Sequence, residues 1–131
     1  MKYYISKKVS GDFDETIDIV KEALKNEGFG VLTEIHIHEK LKEKLDVDFR
    51  RYVILGACNP GYAFEALKEE DKIGTMLPCN VIVQEYENII EIAAVDPVAS
   101  MMAVNNSALA PIANQIRDLL KKVIQNINNS F

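Results

Sequence analysis

Two short stretches hold the residue types most able to do chemistry. Leu55 to Pro60 reads LGACNP and Leu77 to Val81 reads LPCNV, and Cys58 and Cys79 are the only cysteines in the chain. Cys58 stands where an apolar run gives way to Asn59-Pro60. Asparagine is a preferred helix N-cap, and proline in the first helical position forfeits no hydrogen bond. The thiol would then lie beside the positive end of a helix, which can lower its pKa and make it a nucleophile or a soft-metal ligand. Cys79 follows Pro78 and precedes a β-type run. The spacing of the pair fits no C-x-x-C motif, and no cysteine–histidine cluster surrounds either. Packing of small buried side chains in tight turns is the commoner use of free cysteine. The candidate binding or thiol site is therefore Cys58, Asn59, Cys79 and Asn80, with Arg51 as a cation that could join the helix start at Asn59 in holding an anion. No glycine-rich phosphate loop supports that anion pocket.

The second set is Glu34 to His38, EIHIH. On a strand, alternate residues project to one face about 7 Å apart. Glu34, His36 and His38 would there offer one carboxylate and two imidazoles, a donor set suited to zinc or iron. No further ligand follows at standard spacing, and a polar outer strand face accounts for the same residues, so the sequence assigns no metal. Lys40, Lys42, Lys44, Arg50 and Arg51 interleave with Glu39, Glu43, Asp46 and Asp48, which reads as a solvated, salt-bridged surface. Met101 and Met102 read as apolar filler or interface. G-x-G-x-x-G, G-x-x-x-x-G-K-[ST] and G-x-S-x-G are absent, and no catalytic residue is assigned.

The elements that would position these residues follow from periodicity. Residues 2–9 alternate as a strand. Asp12 with Glu15 makes a capping-box start for a helix carrying Ile17, Val20 and Leu24, which Gly28 ends. Residues 31–38 alternate as a strand, with Val31, Thr33, Ile35 and Ile37 expected on the core face. A two-turn helix over 39–45 precedes a doubly covered strand at 51–57. The helix begun by Asn59-Pro60 runs to about residue 70, with Ala63, Ala66 and Leu67 inward. Residues 80–86 and 89–95 make a hairpin around Glu87-Asn88. Residues 96–107 form a link, and Ile112, Ile116, Leu119, Val123 and Ile127 form the stripe of a last helix. Pro111 suits the first turn of that helix if it starts near Ala110. The order β-α-β-α-β-α-β-β-α predicts an α/β (α+β) fold: one mixed sheet of about five strands with helices packed on it. If the strands flanking the two cysteines run parallel, Cys58 and Cys79 lie at opposite sheet ends, roughly 17–20 Å apart for a five- or six-residue strand. If antiparallel, they share an end.

Composition bounds the function. The chain has 131 residues, 48% of them hydrophobic, which fits a single domain over 1–131 that folds without disulfide or structural metal. The net charge is −5 and the pI about 5.0, against nonspecific nucleic-acid or anionic-membrane binding. No apolar stretch matches a signal peptide or membrane span, so the expected location is the cytoplasm, where thiols stay reduced.

Three segments carry a family resemblance. Gly28 to Pro60, GFGVLTEIHIHEKLKEKLDVDFRRYVILGACNP, Ile73 to Val83, IGTMLPCNVIV, and Val95 to Met101, VDPVASM, resemble the domain-of-unknown-function 302 family. Gly56, Asn59, Pro60, Pro78, Cys79 and Asn80 match its motifs, and Cys58 fits the ACNP form. The resemblance implies a compact α/β domain with one mixed sheet, homodimers, and no assigned activity. Acidic or other polar residues commonly occupy the His36 position in similar sequences, which speaks against a family-wide metal site. The resulting expectation is a cytoplasmic homodimer, a non-catalytic ligand-binding or accessory protein with a small-molecule ligand and no nucleic-acid or membrane partner. The alternative is a thiol-dependent role through Cys58 or Cys79: redox sensing, sulfur transfer, or binding of a soft metal or haem. No cofactor is assigned.

Overall fold

The computed structural model describes residues 2–127. Its elements run β1 (Tyr4–Val9), α1 (Phe13–Asn26), β2 (Gly30–His36), α2 (Ile37–Leu45), β3 (Tyr52–Cys58), α3 (Pro60–Glu69), a 3₁₀ turn (Ile73–Met76), β4 (Cys79–Tyr86), β5 (Ile89–Val95), α4 (Pro97–Ser100) and α5 (Leu109–Gln125). The five strands form one sheet in the order β1-β5-β4-β3-β2. Every neighbouring pair is antiparallel, which narrows the mixed sheet expected from the element order.

Local chemistry sets most boundaries. The Asp12 carboxylate accepts the Glu15 N–H at 3.0 Å and starts α1. Gly28 follows the end of α1 with φ +87°, a conformation glycine adopts without steric cost. Asn88 takes φ 64° in the β4–β5 turn, which asparagine tolerates better than most residues. Pro111 lies in the first turn of α5, as the start near Ala110 requires. The expected link after β5 contains a short helix instead: Asp96 accepts the Val98 N–H at 3.0 Å and caps α4.

The core sits on one face of the sheet. Val53, Leu55 and Ala57 of β3, Val81 and Val83 of β4, and Ile90, Ile92 and Ala94 of β5 pack against α1 and α5 through residues such as Val20, Leu24, Leu120 and Val123. A smaller cluster joins Ala66 of α3 and Ile73 to Met101, Leu109 and Ala113. Leu67, expected inward, is exposed; the inward face of α3 is narrow and Ala66 is its one buried residue.

The strand carrying the histidines departs most from expectation. β2 is a sheet edge, its register shifts between Val31 and Thr33, and it ends at His36, so His38 belongs to α2. The irregularity leaves Glu34 paired opposite core residue Leu55 and Ile35 opposite Ile54. Because a one-residue shift exchanges the two faces of a strand, Glu34 and His36 lie on the helix-covered side. Ile35, predicted for the core, is 41% exposed on the other.

Candidate functional site

Among the described residues no helix packs on the second face of the sheet. Tyr52 and Ile54 of β3, Asn80, Ile82 and Gln84 of β4, and Glu91 and Ala93 of β5 alternate with the core residues and therefore face this side. With Tyr3, Tyr4, Arg50 and Val95 they line a groove of about 400 Å³. That volume lies within the range of small-molecule pockets, and the lining mixes aromatic and aliphatic side chains with Arg50, Asn80, Gln84 and Glu91.

A row of polar side chains crosses the groove floor. Tyr52, Gln84 and Glu91 are cross-strand partners. Arg50 Nε donates to Gln84 Oε1 at 2.8 Å, and Gln84 Nε2 donates to Glu91 Oε1 at 2.8 Å. Both amide atoms of the buried Gln84 are thus satisfied. The Arg50 guanidinium also lies 4.4 Å from the Phe49 ring centroid, 4.8 Å from Tyr86 and 5.9 Å from Tyr52. Each separation is within cation–π range, so aromatic rings and an amide hold the charge at the groove wall. Burial pushes the Tyr52 hydroxyl above its ordinary pKa, against the opposing pull of Arg50, and the phenol stays neutral at pH 7.

Arg51 has a different role from the one predicted. It donates to Glu85 from Nε and Nη2 at 2.9 and 2.8 Å, a bidentate pair, and stacks 4.6 Å from the Phe13 ring. Arg51 precedes β3 and Asn59 follows it, so a strand of about 20 Å or more separates them. An anion pocket shared by the two does not form. Asn59 precedes α3 as expected, but its side chain makes no capping bond. Its Nδ2 donates instead to the Glu27 carbonyl at 3.3 Å and abuts Gly28, tying the end of α1 to the start of α3.

The antiparallel pairing of β3 with β4 puts Ala57 opposite Cys79, so the two cysteines share one end of the sheet. Both border a small cleft with Phe29, Asn59, Pro78 and Ile116, whose volume of about 10 Å³ has room for about one water. Cys79 is buried and Cys58 half-buried, and both are free. Burial, with the neighbouring Cys58, pushes the Cys79 thiol up to about 11. At pH 7 it is protonated and a poor nucleophile. In the native protein iodoacetamide is therefore expected to label Cys58 and leave Cys79 intact, with both alkylated in denaturant. Peptide mass mapping reads the result; native labelling of Cys79 would contradict this placement.

The predicted site residues accordingly separate into three places. Asn80 lies in the groove, Cys58, Asn59 and Cys79 border the cleft, and Arg51 pairs with Glu85. Sequence reasoning missed Arg50, Tyr52, Gln84 and Glu91. The signal available was the polar residues Asn80, Gln84 and Glu91, which alternate with the core positions of the hairpin strands.

The family model described as "Domain of unknown function DUF302" matches residues 5–127. No curated protein matches the chain. Among solved structures, the chain is similar to the crystal structure of an uncharacterized conserved DUF302 protein from Bacillus stearothermophilus, with 34% identity and a TM-score of 0.91. That match covers 98% of this chain and 100% of the other. With the family model spanning nearly the whole sheet-and-helix unit, the chain belongs to the DUF302 family.

Proposed function

We propose that this chain is a non-catalytic binding protein that holds a small molecule in the groove on the open sheet face. The ligand class that fits is a compact, largely apolar or aromatic molecule carrying an anionic group. The observation that carries the reading is the Arg50–Gln84–Glu91 row beneath a rim of tyrosines. Arg50 uses Nε for Gln84, leaving the two terminal nitrogens of a guanidinium to meet a carboxylate in its preferred two-bond geometry. Tyr3, Tyr4 and Tyr52 supply flat apolar surface for the ligand body. No cysteine, serine, threonine, lysine or histidine lines the groove, and Glu91 is engaged with Gln84, which favours binding over covalent turnover.

The same reading makes the working unit a cytoplasmic homodimer built from a single domain. Exposed Ile35, Tyr86 and Ile89 flank the open face and supply apolar rim for a second copy. A thiol-dependent role is the weaker alternative, because Cys79 is buried and protonated at neutral pH.

Titration with benzoate and larger aromatic carboxylates tests the proposal. Saturable binding is expected, weakened about tenfold or more by Arg50→Ala, as for loss of a charge-assisted hydrogen bond. Cys58→Ser should leave it unchanged. Binding unaffected by Arg50→Ala would overturn the groove assignment. Sedimentation equilibrium tests the dimer separately, a monomer at all concentrations being the contrary result.

A further inference from the structure

The histidines that the sequence places on one strand meet in a different way. His36 ends β2 and occupies the N-cap position of α2; His38 and Glu39 lie in the first turn of that helix. One donor atom from each of His36, His38 and Glu39 falls within 4.8 Å of the other two. His36 Nδ1 is 3.4 Å, and His38 Nε2 3.9 Å, from Glu39 Oε2. Ligand atoms on a tetrahedral zinc ion, with bonds of about 2.0–2.1 Å, stand roughly 3.3–3.4 Å apart. Of the three separations, His36–Glu39 already matches; His38–Glu39 closes with a small movement of the Glu39 side chain, which is 67% exposed, and the His36–His38 separation, within 4.8 Å, closes by rotation of the half-exposed His36 ring.

The other nitrogen of each ring has a polar partner: a carboxylate for His36 and the Tyr52 backbone for His38. His36 Nε2 lies 2.7 Å from Glu34 Oε2. The Glu34 carboxylate, paired with Lys21 through its other oxygen, can only accept, so Nε2 carries the proton. In the neutral ring Nδ1 then presents its lone pair toward Glu39 Oε2, 3.4 Å away. His38 Nδ1 accepts the Tyr52 N–H at 3.0 Å and lies 3.2 Å from the Tyr52 carbonyl. Zinc on Nε2 therefore requires the other tautomer, in which the proton moves to Nδ1, the bond from the Tyr52 N–H is given up and Nδ1 donates to the Tyr52 carbonyl. Imidazole ligands characteristically donate their second N–H to a carboxylate or a backbone carbonyl in this way.

We propose that His36, His38 and Glu39 form a three-ligand site for one Zn²⁺ ion, with Glu34 and the Tyr52 carbonyl orienting the two imidazoles. Three protein ligands leave a fourth position for water or an added anion. Glu34 and Glu39 together outweigh the partial positive charge at the start of α2, while Lys21, 2.5 Å from the other Glu34 oxygen, offsets part of the negative charge. The site is independent of the groove ligand, although Tyr52 borders both: its side chain lines the groove and its backbone holds His38.

The test uses the full chain, stripped with chelator and equilibrated with Zn²⁺ at about pH 7.5, above the imidazole pKa near 6.5. Elemental analysis after dialysis is expected to find one zinc per chain, and competition titration should show affinity falling about 100-fold or more in Glu39→Gln and in His36→Gln. Glu34→Gln should weaken binding about 10-fold, as for removal of an outer-shell partner; no change there removes the positioning role given to Glu34. The Cys58→Ser/Cys79→Ser double variant should bind as the parent does. Absence of stoichiometric zinc, retention of full affinity in Glu39→Gln, or loss of zinc in the double serine variant would overturn the site. Glu39 is a surface residue, so its variant remains informative if His36→Gln fails to fold.

Discussion

Gly56→Ala is expected to destabilise the fold by about 2–3 kcal/mol, the upper part of the range for forcing atoms into a packed site. Gly56 lies in β3 between Thr33 of β2 and Asn80 of β4. A Cβ there would overlap Thr33 Oγ1 and stand 2.9 Å from Pro78 Cγ. Thr33 is fixed in the strand ladder, and the Pro78 ring is rigid and immediately precedes β4. The exposed Thr33 hydroxyl can retreat only by leaving its rotamer, whereas Pro78 cannot move without disturbing the strand start that buries Cys79. The glycine of LGACNP is thus explained by close approach of two neighbours to one backbone position. Urea unfolding reads the effect as a lower midpoint at unchanged slope. In a Thr33→Ala background the cost should shrink, because one of the two clashes is gone; such coupling is the signature of direct contact. A loss under about 0.5 kcal/mol would show that the sheet end is slack.

The second large effect is a loss of stability at high pH traceable to Cys79. A thiol raised from an ordinary value of 9.0 to about 11 favours the folded state while it is protonated. Its contribution is complete below about pH 9 and is lost as pH rises toward 11, because the unfolded chain releases the proton first. Two pH units correspond to about 3 kcal/mol. Tyr52, also raised by burial, acts in the same direction, so the informative quantity is the difference between the parent and Cys79→Ala. The variant should lose some stability at pH 7 through the small cavity it leaves, yet decline less steeply above pH 9. Parallel stability curves for the two proteins would contradict the burial of this thiol.

Local structure was largely legible in the residues. Asp12 with Glu15 starts α1, Gly28 follows its end, Asn59-Pro60 begins α3, and Glu87-Asn88 turns the hairpin, because each signal acts within a few residues of itself. The relative direction of β3 and β4 was not legible, since the connector between α3 and β4 permits either sense. Only pairing decides that Cys58 and Cys79 share an end. The face assignment of β2 failed at a single irregularity between Val31 and Thr33, which no residue type announces. Arg50 looked like one charge among many in a mixed run. Its role comes from Gln84 and Tyr86, more than thirty positions away. The groove draws on β1, β3, β4, β5 and the segment before β3, so no local motif could mark it.

The most direct test of the central claim is to locate a bound aromatic carboxylate by backbone amide NMR. With benzoate as the probe, the account predicts concentration-dependent shifts at Tyr52, Asn80, Ile82, Gln84 and Glu91, moved to about tenfold or more higher benzoate by Arg50→Ala. Shifts centred instead on Cys58, Asn59 and Cys79, or an unchanged concentration dependence in the Arg50 variant, would contradict it.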